Sequence, residues 1–563
     1  MPTVFRLLAV LAGLWYGPSA SASAANGPCQ RAFQPTTAEQ LMDHQQSPDE
    51  PVSPGSRIGE IHLTRHQIFN EENPDEDNPV FRWANRFHIL TTEKTIREEL
   101  LFRAGDIYDQ QQVDESARLL RSAKYLYEAK IRPVNPCGDT VDIEVVTRDV
   151  WSFTPEIAAD RSGGESNYRV ALRDTNFLGS GRFISVAGKK DTDRETVKFV
   201  YEDKNLGSSR IGARLAYTDA DDGESQYIRL QRPFYSLDTR YAWQVSLETD
   251  SRYDTQYFRG EKQTQVQHEV ENFSVSYGFS DGLVDGRATR WTLGYTWHED
   301  QFYPGRDYPS PAEFPDDRRL SYPFVNLTMV EDKYATAFNL DQIHRTEDLH
   351  TGYTFSTTLG YADAAFGSDE DRLVLTSRFA DTLSYTDKVL LQHELAVSGY
   401  WNLDRQAKED LLIDYEIRYF RTQTDKRSFF ARLHGIYSDG LNENQQVTLG
   451  GDVGARAFSS RFQQGDRMMV LSLEERQYTD VHFLNLIRLG FAGFVDIGRA
   501  WQPGRDDGIE QDILANAGIG IRLASSKADT GGIIHIDFAF PLTNRDDPEV
   551  EDVQISVNIK DSF

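Results

Sequence analysis

The chain has 563 residues, 39% of them hydrophobic, and 60 basic against 88 acidic side chains leave a net charge of −28. That balance argues against a nucleic-acid partner, whose phosphates need a basic footprint. A mean hydropathy of −0.56, with no apolar run near the ~18 residues of a spanning helix beyond the N-terminus, leaves an exported soluble protein or a transmembrane β-barrel.

The N-terminus comes first. Arg6, the apolar run Leu7 to Tyr16 and the small-x-small site Ala22-Ser23-Ala24 read as a signal peptide over residues 1–24. Residues 25–56, rich in Gln, Ser and Pro, read as a tail or linker. Cys29 and Cys137 are the only cysteines; outside the cytoplasm so sparse a pair suggests one disulfide from the tail to the next domain, whose loop closure would contribute on the order of 4 kcal/mol.

Residues 57–149 change character. Ile58-Gly59-Glu60-Ile61-His62-Leu63 alternates as a strand does, and an acidic, Pro-containing insertion from Glu71 to Pro79 follows. Two helical patterns come next. Ile96, Leu100 and Leu101 share one face, and in the second Asp109 can cap a helix with Gln112 reciprocating, ahead of Val113, Ala117, Leu120 and Lys124. Leu126 to Val134 and Thr140 to Thr147 read as strands around a turn at Asn135-Pro136-Cys137-Gly138-Asp139.

From Trp151 onward strands follow one another and the helical period is gone. Leu411, Ile413, Tyr415, Ile417 and Tyr419 oppose Asp414, Glu416 and Arg418; Ile513, Ala515, Ala517, Ile519, Ile521 and Leu523 oppose Asn516, Gly518, Gly520 and Arg522. The last segment places Val553, Ile555, Val557, Ile559 and Phe563 on one face, with Asp561 as a charged exception. Alternation alone also suits a soluble sandwich. Long strands, a charged inner face, 12% aromatic residues and a strand running to the C-terminus suit a closed sheet without edges, so the reading is mainly β: a transmembrane antiparallel barrel over residues 150–563 behind one α/β domain.

Within that region Gly450-Gly451-Asp452-Val453-Gly454-Ala455-Arg456-Ala457-Phe458 sets an arginine in a glycine-rich loop. Period-two parity points Ser472, Glu474 and Arg476 to one side and Met469, Leu471 and Leu473 to the other; on the next strand Phe494, Asp496 and Gly498 point inward against Leu489, Phe491, Val495 and Ile497. Arg456 therefore has two inward carboxylates within reach, and a guanidinium fork can bridge both. The expectation is a loop locked inside the barrel by Arg456, Glu474 and Asp496. His535 and Asp537 share an inward face, but no nucleophile motif accompanies them, so they read as lumen lining and no enzyme is expected. No cluster has metal-ligand spacing and no Gly-rich loop opens a helix, so neither metal nor cofactor is expected.

These residues carry a resemblance. The strand-helix-helix-strand-strand order with Glu98-Glu99-Leu100-Leu101 and Arg118-Leu119-Leu120 resembles one polypeptide-transport-associated (POTRA) domain, and the barrel resembles the BamA/TamA-type outer-membrane assembly family, also called the bacterial surface antigen family. Asn176, Phe177, Gly179 and Gly181 resemble its first-hairpin turn. Gly450 to Phe458 resembles its lumen loop, and Glu474-x-Arg476 with Phe494-x-Asp496-x-Gly498 resembles the two strands that receive it. Ala457 departs from the usual Gly after the arginine, which would let the loop bend differently.

The resemblance implies about sixteen strands, whereas alternation alone gives about eighteen to twenty candidates. It also implies an outer-membrane location with the POTRA domain in the periplasm, contact with outer-membrane lipid, and unfolded client polypeptides met by strands 126–134 or 140–147 and by a seam between residues 151–177 and 553–563. The implied function is an insertase or translocation factor; a partner-specific secretion translocator and a passive or lipid-handling barrel are the alternatives.

Overall fold

The computed structural model describes residues 33–42, 51–503, 512–528 and 532–560, apart from positions 163, 339, 341–342, 344–345 and 387. The expected signal peptide, Cys29, Asp561 and Phe563 lie outside the described residues. Cys137 is disulfide-bonded.

Strand Arg57–His66 pairs parallel with Thr140–Asp149, which pairs antiparallel with Leu126–Cys137, so the hydrogen-bonded order is first, third, second. The parallel pair needs a crossover, and helices Glu93–Glu99 and Gln110–Arg121 lie within it. Ile96, Leu100, Val113, Ala117 and Leu120 bury their apolar faces against Ile58, Leu126, Ile131, Ile143 and Val145. Asp109 caps the second helix, but its carboxylate takes the Gln111 amide at 3.0 Å and no reciprocal Gln112 bond is observed. The first helix ends at Glu99, with Leu100 as its cap, so Leu101 lies beyond it. The acidic insertion holds an unforeseen helix, Pro79–Phe87, capped by Asn78 and with Pro at its start, where proline's missing N–H costs nothing.

From Phe153 to Lys560 the chain forms one closed sheet of 20 antiparallel strands among the described residues. That exceeds the sixteen implied by resemblance and meets the upper count given by alternation. Two hairpins stay out of the wall: Tyr334–Phe338 with Thr346–His350, and Val447–Leu449 with Gln463–Gly465. The wall has one weak join. Most neighbours pair over seven or more register positions; among the described residues Gln554–Lys560 meets Phe153–Ser162 at Val557↔Arg161 alone. Val553 falls one residue before the last strand, whose Ile555 and Ile559 face outward and Gln554 and Ser556 inward.

The α/β region sits on one rim of the barrel. The Gly179 carbonyl takes the Thr92 amide and the Thr95 hydroxyl, both at 2.9 Å, while Asn176 donates to Thr91 Oγ1 at 2.8 Å. Gly179 stands at φ 71°, and a Cβ there would lie 2.7 Å from the Leu90 carbonyl. On the same side Glu144 gathers the Thr36 amide (2.8 Å), the Thr36 hydroxyl (2.7 Å) and Arg132 Nε (2.8 Å), pinning the segment before helix Ala38–Met42. Burial pushes this carboxyl up, but the Thr36 and Arg132 donors outweigh it and hold it below the usual carboxylate range. A depressed carboxylate stabilises above its unfolded value and stops doing so as pH falls through its folded value. Limited proteolysis of the full chain should therefore cut near Phe33–Met42 faster in Glu144→Gln than in wild type at neutral pH; in acid, below the ordinary carboxylate value of ~4.3, wild type should approach the variant.

Candidate functional site

The chain leaves strand Arg427–Asp439 at the rim away from the α/β region, forms the short 447–465 hairpin, and returns as Arg467–Phe483. Its tip reverses tightly. Gly450, Gly451 and Gly454 have φ of 131°, 58° and 141°, and a Cβ on Gly450 would lie 2.1 Å from the Ser459 carbonyl. Two non-glycine residues of the loop are left-handed, Ala455 at φ 59° and Arg461 at φ 58°. Ala457 is absent from the positive-φ positions and fully buried, so a methyl group there fits without backbone strain.

The loop lies on the inner wall of the last strands. Phe458 and Phe462, with rings 5.5 Å apart, pack with Ala455 and Ala457 against Met468, Val470, Phe494, Ala500, Leu514 and Ala539. Arg456 then enters a group of charges that parity has turned inward. Its Nε and Nη2 fork onto Asp496 at 2.8 and 3.0 Å, and its Nη1 reaches Asp537 at 3.1 Å and Glu474 at 3.4 Å. The guanidinium carbon stands 3.4 Å from the centre of the Phe494 ring, a cation-π contact strengthened by the loss of water. Gly518 makes room for that ring, since a Cβ there would sit 2.4 Å from it.

Two further arginines complete the group. Arg522 binds Asp537 at 2.5 Å and Glu474 at 3.4 Å; Arg476 binds Glu474 at 3.1 Å and lies over the Phe430 ring at 4.3 Å. Asn516 supplies a neutral donor to Asp496 at 2.9 Å. Three guanidiniums thus face three carboxylates, all buried or nearly so. Arg456, Phe458, Glu474, Arg476, Phe494 and Asp496 are brought together, with Gly450, Gly451 and Gly498 shaping the backbone around them. Asp537 is a third partner of Arg456, and Arg522 bridges two of the same carboxylates; parity turns both inward, but only pairing across nonadjacent strands joins them to the lock.

Asn176, Phe177, Gly179 and Gly181 do not join this group. They build the turn under the α/β region, where the Asn176 side chain accepts the Gly181 amide at 2.7 Å. The next turn on that rim repeats the device: Asp203-x-Asn205 matches Asp174-x-Asn176, and Asn205 accepts the Arg210 amide at 2.6 Å while donating to Glu98 at 3.2 Å. A search for internal repeats would have found this pair.

The lumen is also entered from the rim that carries the α/β region. The hairpin of Tyr334–Phe338 and Thr346–His350 places Ile343 among inward-facing Tyr478, Ala492, Ala524 and Ile533. The Leu340 carbonyl takes Arg476 Nη1 at 3.2 Å and the Tyr478 hydroxyl at 3.4 Å. Outside the lumen the hairpin is held to helix Gln110–Arg121: Arg121 forks onto Asp348 at 2.7 and 2.6 Å, and Arg118 lies 3.9 Å over the Tyr334 ring.

The Omp85 superfamily domain matches residues 176–563. Among solved structures the chain is similar to BamA from Haemophilus ducreyi lacking POTRA domains 1–3, at 14% identity over 89% of this chain and 84% of that one, with a TM-score of 0.37. It is similar to CdiB from Acinetobacter baumannii at 12% identity, 90% and 74% coverage and a TM-score of 0.44. CdiB from Escherichia coli matches at 11% identity over 93% and 92% of the two chains, with a TM-score of 0.36.

Truncating one member of a buried ion group leaves its partners unpaired, which costs about 3–5 kcal/mol. Arg456→Ala should lower barrel stability by that order, read as the denaturation midpoint in detergent, and Arg456→Lys should recover little because an ammonium cannot fork. Unchanged midpoints would remove the lock. Asp348→Arg should repel Arg121 and loosen the inserted hairpin, raising single-channel conductance in planar bilayers, with Arg121→Asp in the same chain bringing it back down.

Proposed function

The chain belongs to the Omp85 superfamily, and on that premise we propose that it assists assembly or translocation of proteins at the outer membrane, without enzymatic chemistry, with the α/β region serving as a periplasmic POTRA domain. The observation that carries the finer reading, insertion through a lateral opening, is the seam. Among the described residues one register position joins the first and last strands, against seven between the last strand and its other neighbour. Backbone pairing holds a barrel closed in lipid, where an unpaired N–H or C=O costs several kcal/mol. A sparsely paired seam is therefore the wall's easiest opening, and its two edges can each accept a client strand by backbone hydrogen bonding.

The lumen favours the same route. The 447–465 loop and the 334–350 hairpin both end on the Glu474-Arg476 pair, so export of a partner through the pore would have to displace both. A passive barrel has no use for either insert. The strand Leu126–Cys137 lies at the edge of the three-stranded sheet and offers a second site for an extended client.

Cysteines at Val557 and Arg161, oxidised across the seam, provide the test. Disulfide closure should abolish client insertion into vesicles and reduction should restore it. Insertion that persists with the seam locked would eliminate lateral opening and leave the pore as the route.

A further inference from the structure

The helix Pro79–Phe87 belongs neither to the lumen lock nor to the three-stranded sheet. At ~100° per residue its side chains divide into three faces. Phe81, Ala84 and Asn85 face the protein; Phe81 stacks on Phe69 at 4.0 Å and packs with Ile68, Trp151 and Leu486. Val80, Trp83 and Phe87 lie to one side of that docked face, exposed to 69, 59 and 60%. Arg82, ion-paired with Asp77, and Arg86 lie exposed on the other side. The Trp83 and Phe87 rings touch at 4.6 Å, and exposed Ile89 follows the helix. A hydrophobic ridge of this size left in water needs an explanation.

Its place on the barrel supplies one. The insertion is fixed to the rim beneath the C-terminal strands: Asn485 donates to the Asp75 carbonyl at 2.8 Å, Lys527 binds Glu76 at 2.5 Å, and Arg148 binds the same carboxylate at 3.1 Å. The turn it grips also bears Phe483 and Leu484, exposed like Val481 before them and like Ile487 and Phe491 on the outward column of Ile487–Trp501. The ridge is thus continuous with the barrel's apolar exterior at its rim. Aromatic residues on one face with arginines on another is the composition of a helix lying in a membrane interface. A client strand would need a free backbone edge or a groove, and a single convex helix provides neither.

We propose that Pro79–Phe87 is an interfacial helix embedded in the phospholipid leaflet beside the barrel, with Val80, Trp83 and Phe87 among the acyl chains and Arg82 and Arg86 toward the headgroup phosphates. It ties the α/β region to the bilayer under the last strands. The inference rests on the reading of the barrel as membrane-spanning. The full-length protein, carrying a nitroxide at Trp83→Cys, Arg82→Cys or Phe491→Cys, is reconstituted in vesicles of phosphatidylethanolamine and phosphatidylglycerol and examined by power-saturation EPR. The expected result is oxygen accessibility exceeding that of a water-soluble nickel chelate at 83 and 491, and the reverse at 82. If 491 lies in lipid and 83 in water, the proposal is overturned while the barrel stands; if 491 itself lies in water, the barrel reading fails first. Protection of 83 that appears only after an unfolded client is added also overturns it. In case a label disturbs folding, the unlabelled chain in vesicles of dibrominated phosphatidylcholine should lose a larger fraction of its tryptophan fluorescence than Trp83→Phe; equal quenching overturns the proposal.

Discussion

Six buried charges inside the last strands of the barrel constrain everything around them. Arg456, Arg476 and Arg522 balance Glu474, Asp496 and Asp537, and the Arg456 guanidinium touches all three carboxylates. Such a group is a poor source of raw stability, because each ion loses its water on burial. What it contributes is definition. The carboxylates stand on three different strands, and a slip of one residue in any of them would turn its charge to the outer face. The loop can enter only if the wall is in register, and the wall leaves carboxylates underpaired if the loop is out.

That mutual dependence gives the barrel a stiff side and a soft one. Strands Arg467–Phe483 through Ile533–Pro541 are bound by their ladders, by the packed loop and by the ion group, whereas the strand after them ends at a seam with one register pair among the described residues. The loop also reaches past that seam: Arg461 pairs with Glu165 at 3.3 Å and Asp193 at 2.9 Å on the early part of the wall. Partly exposed pairs of this kind are worth little individually. They can steady a closed seam and still let it part, as expected where local opening free energy is lowest.

The α/β region is attached to both features. Its threonines hold the turn at Gly179, its Arg121 holds the inserted hairpin whose Leu340 carbonyl meets Arg476, and its insertion grips the turns of the stiff side. A displacement of helix Gln110–Arg121 would thus be felt in the lumen through one side-chain fork and one short hairpin. The connection is contiguous and made of few parts, which makes it open to double-mutant analysis.

The sequence by itself determined which faces of the strands are wet and which are apolar, because period-two parity is local; alternation alone puts Glu474, Arg476, Phe494 and Asp496 on the inner face. It also determined the three strands and two of the three helices of the α/β region, in order, and the Asp109 cap, all set by neighbours within a few residues. The tertiary structure alone decided that Asp537 and Arg522 join Arg456, because those contacts cross strands and depend on shear and register. It alone decided that the left-handed strain falls on Ala455 and Arg461 and leaves Ala457 relaxed, which follows from how the loop closes on Phe458. The helix Pro79–Phe87 is obscured in the sequence by the acidic, Pro-containing stretch before it, whose turns end at an Asn78 cap. That the 334–350 hairpin reaches into the lumen with Leu340 and Ile343 is shown by packing alone, since alternation records which residues face inward and carries nothing about what fills the space they face.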